Sequence, residues 1–132
     1  MDRPFIYIAS PYTQGQAALN VHFQCRIFDE LMNDGVVYPV VPLWSHFQCV
    51  VFPRPYEDWL KYDLAFLAKL DGVLRLNATH LDTDRNIDYI QARSQGADRE
   101  LKRCQELGKP VFFNKQDLYV WVDTVYAVRE NE

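Results

Sequence analysis

The chain has 132 residues, of which 48% are apolar and 14% aromatic, and a formal net charge of −4. That is enough apolar material for one domain with its own core, without disulfide or metal staples. The acidic balance argues against a polymeric nucleic-acid partner, which needs a basic surplus to displace counterions from phosphates. It leaves room for a small anionic ligand held by one arginine or a helix N-terminus.

Phe5 to Ala9 is a short, continuous apolar run that ends at Ser10-Pro11, the pattern of a buried parallel strand. A helix is expected from about Gln16 to Asn33, with Leu19, Phe23, Ile27 and Leu31 recurring at four-residue steps and Gly35 suited to its left-handed cap. Val36 to Val41 reads as a second strand, at an edge or short, because Pro39 lies inside it. Residues 42–55 form an aromatic and proline-rich loop, long enough to suggest a ligand loop. Pro55 opens a second helix running to about Leu70, with Glu57 and Asp58 in its first turn and Trp59 or Leu60, Leu64 and Leu67 facing inward. Gly72 to Leu76 is the third strand, and residues 77–95 are polar without a clear period. Arg99 to Leu107 is expected to be helical and to stop at Gly108, and Lys109 to Phe113 is the fourth strand. Residues 117–128 carry helical spacing, although their Val and Tyr content makes a strand a live alternative.

This alternation predicts an α/β domain over residues 1–132. The expected architecture is a single Rossmann- or flavodoxin-like three-layer fold with a parallel sheet of four to five strands. Cys25, Cys49 and Cys104 are odd in number and lack a C-x-x-C pairing, which reads as reduced thiols. His22, His46 and His80 fall at no ligand spacing, so neither a metal nor another cofactor is expected. The apolar run at the N-terminus is short for a signal peptide and no stretch approaches a membrane span. A cytoplasmic protein without a membrane partner is therefore expected.

In a parallel sheet, ligands bind beyond the carboxyl ends of the strands. Ser10-Pro11-Tyr12, residues 77–95 and the helix start near Gly96 should meet there. Glu100 is expected in the first turn or so of its helix, bordering the Ala97, Leu101 and Cys104 stripe. The helix dipole would favour its ionised form, as a nucleophile or electrostatic stabiliser requires; a capping or surface glutamate is the plainer alternative. Asp63 leans toward the apolar side of its helix, which raises a carboxyl pKa and suits a proton donor. Its alternative is a buried acid paired with Arg75. Two such acids are what glycosidic bond cleavage asks for: one meets the anomeric carbon and the other protonates the leaving group. Tyr7 points to the opposite sheet face from Ile6 and Ile8, where a phenol can hold a carboxylate or simply fill the core.

Three ordered motifs resemble the nucleoside 2-deoxyribosyltransferase-like superfamily, which includes the 2′-deoxynucleoside 5′-monophosphate N-hydrolases. They are Ile6-Tyr7-Ile8-Ala9-Ser10-Pro11-Tyr12, then Tyr62-Asp63-Leu64 with Leu70-Asp71-Gly72-Val73, then Ser94-Gln95-Gly96-Ala97-Asp98-Arg99-Glu100 followed by Gly108-Lys109-Pro110-Val111. The resemblance runs from about residue 5 to 113. It implies that Glu100 is a nucleophile forming a glycosyl-enzyme intermediate, Asp63 the acid near the leaving base, and Tyr7 the residue that positions the nucleophile. Ser94 stands where the transferases carry Asp and the monophosphate hydrolases carry Ser. That tilts the expectation toward a 5′-monophosphate substrate and water as acceptor.

Segment 77–93 is longer than usual for this family, and its Arg85 or Arg93 is a candidate phosphate contact. Trp44, His46 and Phe47 are candidates for a base pocket, since aromatic rings stack on bases. The family often completes its site from a neighbouring subunit, with Asn114 or Asp117 as candidates here, and a homo-oligomer, a dimer or higher, is implied. The expected activity is thus an N-glycosidase acting on a nucleoside or nucleotide. A base-exchanging transferase and a non-catalytic nucleotide sensor are the alternatives. A phosphoribohydrolase ranks last, because its glycine-rich signature is missing.

Overall fold

The computed structural model describes residues 2–9, 17–41, 47–48, 50–75 and 95–130. Strand β1 (Phe5–Ala9) is followed by helix α1 (Ala17–Asp34), strand β2 (Tyr38–Val40), helix α2 (Tyr56–Leu67), strand β3 (Gly72–Arg75), helix α3 (Gln95–Glu106) and strand β4 (Val111–Phe112). The chain then enters α4 (Lys115–Trp121), a π-helical stretch (Val122–Tyr126) and α5 (Ala127–Glu130). The strands form one four-stranded, wholly parallel sheet in the order β2-β1-β3-β4. The α/β class and the parallel four-stranded sheet are as the sequence alternation led one to expect.

Alternation along the central strand divides the core in two. Ile6 and Ile8 join Leu31, Val37, Leu74 and Leu118 in one cluster, while Tyr7 and Ala9 join Leu67, Leu70, Val73 and Cys104 in the other. Period-two alternation in a doubly covered strand produces this partition, since successive side chains leave opposite faces. The second cluster packs α2 and α3 against the sheet, and it is the one next to the candidate site.

Several ends are set by local chemistry. Gly35 closes α1 at φ +69°, and Gly108 turns the chain at φ +71° after α3; the left-handed conformation is open to glycine because no Cβ meets the backbone. Gly72 is favoured for a different reason: a Cβ there would crowd the carbonyl oxygen and ring of Pro110 at 3.1 Å. Asp71 pins the neighbouring strand, its carboxylate accepting from Phe5 N at 2.8 Å while its own N–H donates to Phe5 O at 2.9 Å.

Strand β2 is shorter than Val36–Val41 and sits at the edge of the sheet, as Pro39 foretold. Tyr38 N donates to Pro4 O at 2.8 Å, so in this parallel ladder Pro39 turns its ring nitrogen away from β1. The missing N–H therefore costs the sheet no bond. Residues 115–130 are helical throughout, which removes the strand alternative. The helix starts at the Asn114 cap, whose side-chain oxygen accepts from Asp117 N at 2.8 Å. No helix among the described residues is long and apolar enough to cross a membrane.

Candidate functional site

Helix α3 begins at Gln95, next to the start near Gly96 expected at the sheet edge and four residues before Arg99, where the helical period becomes readable. The polar Ser94-Gln95 stretch hides this start, because it carries no apolar period to read. The consequence falls on Glu100, which becomes the sixth residue of the helix rather than a member of its first turn. It is buried, with 8% of its surface exposed. The expectation of a carboxylate kept ionised by the helix N-terminus is therefore corrected. Burial pushes Glu100 up to about 8, with the Asp63 charge adding to the rise, against the opposing effects of Tyr7 and Arg75.

Tyr7 is fully buried in the centre of β1, on the same side of the sheet as the α2 and α3 cluster. Its phenol lies close enough to feel the charge of both acids. Burial raises its pKa well above the ordinary value, and the charges of Glu100 and Asp63 raise it further. Tyr7 in turn lowers the proton affinity of Glu100. The structure thus brings together the three residues singled out as catalytic candidates.

Asp63 is half-buried in α2, and burial raises it to about 6. The elevated carboxyl expected from its apolar surroundings is present. The order within the pair is the reverse of the sequence expectation, since Glu100 binds its proton more tightly than Asp63. Between these two values the pair holds close to one proton, and that proton belongs to the pair rather than to either carboxyl alone.

Arg75 is the residue the sequence reading missed as a member of the site. It ends β3, is 3% exposed, and its charge acts on Glu100 rather than appearing among the influences on Asp63. Register explains the placement: Val73 pairs with Tyr7 and Arg75 with Ala9, so Arg75 shares the face that carries Tyr7. The available signal was parity, because Gly72-Val73-Leu74-Arg75 puts the cation two residues beyond Val73.

Helices α2 and α3 are tied by Arg99, whose guanidinium spans both oxygens of Glu57 at 2.7 and 3.3 Å. The pair is exposed and serves mainly to fix alignment. At the start of α2, burial raises the Tyr56 phenol, with the charge on Glu100 among its influences. Three polar atoms of this region, Tyr7 Oη, Glu100 Oε2 and Trp59 Nε1, are buried and complete no hydrogen bond within ordinary limits among the described residues. Tyr7 and Glu100 are therefore close enough to influence each other's charge without satisfying each other. Buried polar groups are nearly always paired, and exceptions gather where a ligand or a reaction uses them.

Of the candidate ligand contacts, Ser10, Pro11, Tyr12, Trp44, His46, Arg85, Arg93 and Ser94 lie outside the described residues. Gly96 is the second residue of α3. Phe47 is exposed. Asn114 follows β4 and is engaged locally, capping α4 and donating from Nδ2 to Asp117 at 3.1 Å. Both residues proposed to reach a neighbouring subunit are thus joined in one cap. No family model matches the chain, and no curated protein matches it.

Proposed function

We propose that the chain is an N-glycosidase that cleaves the base–sugar bond of a (deoxy)nucleoside 5′-monophosphate through a covalent Glu100 intermediate. The observation that carries the reading is the convergence of Glu100, Asp63 and Tyr7 on one buried locus, with each acid raised toward neutral pH and together holding about one proton. The three ordered motifs that resemble the nucleoside 2-deoxyribosyltransferase-like superfamily support it. So does the parallel sheet, for which a Rossmann-like, three-layer single domain is the natural completion.

The reaction draws on the minor form in which the shared proton sits on Asp63 and the charge on Glu100, a form the Arg75 guanidinium and the Tyr7 hydroxyl make more accessible by lowering the proton affinity of Glu100. Glu100 attacks the anomeric carbon, the carbon–nitrogen bond breaks, and its electron pair stays with the base nitrogen, which takes the proton from Asp63. Water then attacks the glycosyl ester. The Asp63 carboxylate removes a proton from that water, and Glu100 leaves as the carboxylate. Ser94 supports water as acceptor and a phosphate on the sugar, since a hydroxyl donates to phosphate where a carboxylate would repel it.

The partner is accordingly a small nucleotide, in a cytoplasmic protein acting without a cofactor. A homo-oligomer is part of the same reading. Val50, Val51, Phe52, Tyr62 and Phe66 are exposed apolar side chains on and just before α2, and Tyr62 and Phe66 stack with centroids 6.5 Å apart. Large exposed apolar groups of this kind are typical of association surfaces.

The test is incubation of the purified protein with nucleosides and their 5′-monophosphates, with and without an acceptor base. Release of free base from monophosphates, abolished in Glu100→Ala, is the expected result. Base exchange without hydrolysis would make the protein a transferase. Tight binding without turnover, unchanged in Glu100→Gln, would make it a sensor.

A further inference from the structure

Helix α2 presents Tyr56, Trp59 and Asp63 at spacings of three and four residues, so the three share one face of the helix. The residues at the two ends of that row, Tyr56 and Asp63, both interact electrostatically with Glu100. Trp59 stands between them. Its ring is braced edge-on by Tyr62, with centroids 6.3 Å apart and planes at 85°. Its Nε1–H is buried and has no acceptor among the described residues. A buried indole N–H ordinarily finds an acceptor, because losing water without replacement is costly.

We infer that Trp59 is a ligand-binding residue of this site, its indole N–H donating to an acceptor atom on the base of the bound nucleotide, a ring nitrogen or a carbonyl oxygen. The inference rests on the N-glycosidase reading for the nature of the ligand. Trp59 and Asp63 are one helical turn apart, with side chains neighbouring along the helix. A base whose glycosidic nitrogen is served by Asp63 would therefore lie alongside the indole edge. Trp59 then selects bases by their acceptor pattern and takes no part in proton transfer, which makes it a specificity residue rather than a catalytic one.

Two measurements test this. In ¹⁵N-labelled Glu100→Gln protein, which binds without cleaving, the indole N–H resonance of Trp59 is followed as 2′-deoxynucleoside 5′-monophosphates are added. Assignment comes from Trp44→Phe and Trp121→Phe, so Trp59 stays intact. A downfield shift that saturates with binding is expected. In parallel, Trp59→Phe, which keeps an aromatic ring but removes the N–H together with the fused pyrrole ring, should weaken binding of the preferred monophosphate by roughly tenfold or more, at least the worth of one hydrogen bond. The loss should disappear for an analogue whose acceptor nitrogen is replaced by carbon. A modest fall in melting temperature from the lost ring volume is expected alike with and without ligand, so the carbon-for-nitrogen analogue is the arm that isolates the hydrogen bond. Binding with an unmoved Trp59 resonance, or equal affinities for the wild type and Trp59→Phe, would overturn this inference and leave the N-glycosidase reading standing. Failure of every monophosphate to bind the wild type would overturn both.

Discussion

Asp63 on α2 and Glu100 on α3 are two carboxyls from separate helices, the charge of the first raising the proton affinity of the second, and burial lifts them to about 6 and about 8. Below the lower value both are protonated and the nucleophile is lost. Above the upper value both are ionised and the proton for the leaving base is lost. The rate of base release, followed as kcat/KM, should therefore trace a bell with its maximum between about 6 and 8. A sigmoid with one inflection would show that only one of the two acids takes part.

Asp63→Asn should slow cleavage unevenly. Bases that leave well need little protonation, whereas poor leaving groups need the proton that Asn lacks. Comparing monophosphates whose bases differ in basicity, the loss should grow as the leaving group worsens, reaching roughly a hundredfold or more for the poorest. An equal loss across the series would reduce Asp63 to a shaper of the pocket.

Glu100→Gln should abolish turnover and also change stability. The native carboxyl is raised to about 8 from an ordinary 4.5, so its protonated form is the one the fold prefers. Its contribution to stability is full below 4.5 and is lost as pH rises through about 8. The amide does not titrate, so the variant should gain on the wild type steadily over that window, by up to a few kcal/mol at alkaline pH. Urea denaturation at pH 4, 6 and 8.5 reads this directly; a difference that does not vary with pH would contradict the buried-acid assignment.

Tyr7→Phe and Arg75→Lys address the two groups that pull Glu100 toward its ionised form. Removing the phenol hydroxyl should reduce kcat by roughly ten- to a hundredfold with little change in KM, and should move the alkaline limb of the pH profile upward. Arg75→Lys retains the charge and should keep more activity than Arg75→Gln, which leaves the buried carboxyl without its neighbouring cation.

Gly72→Ala tests the sheet rather than the chemistry. The added methyl would meet the backbone oxygen of Pro110 at 3.1 Å, and backbone cannot rotate away. A loss of about 1–3 kcal/mol in chemical denaturation is expected.

Much of this molecule could be read from its residues because local signals and global fold agree. The apolar run at Phe5–Ala9, the glycine stops at Gly35 and Gly108, and the proline that places β2 at an edge each act within a few residues of themselves. The state of Glu100 was not readable in this way. It depends on where α3 begins and on how deeply its second turn is buried; Ser94 is a favourable cap residue, but Ser94-Gln95-Gly96 carries no apolar period to reveal that depth. Arg75 was considered only as a structural partner of Asp63, and its influence on Glu100 instead shows only once register with β1 fixes which face it takes. Trp59 was read only as a member of an inward stripe; the lack of an acceptor for its N–H among the described residues is a three-dimensional fact with no counterpart in spacing.

Pro39 has one further effect. With its ring nitrogen turned outward at the rim of β2, it deprives that margin of a donor just where another chain would have to zip on. Copies of this protein that come together are thereby steered away from end-to-end sheet extension and its route to fibres, and toward contacts through side chains on the helices. A single imino acid in this way disfavours strand pairing at that margin while leaving the helical exteriors at liberty to associate.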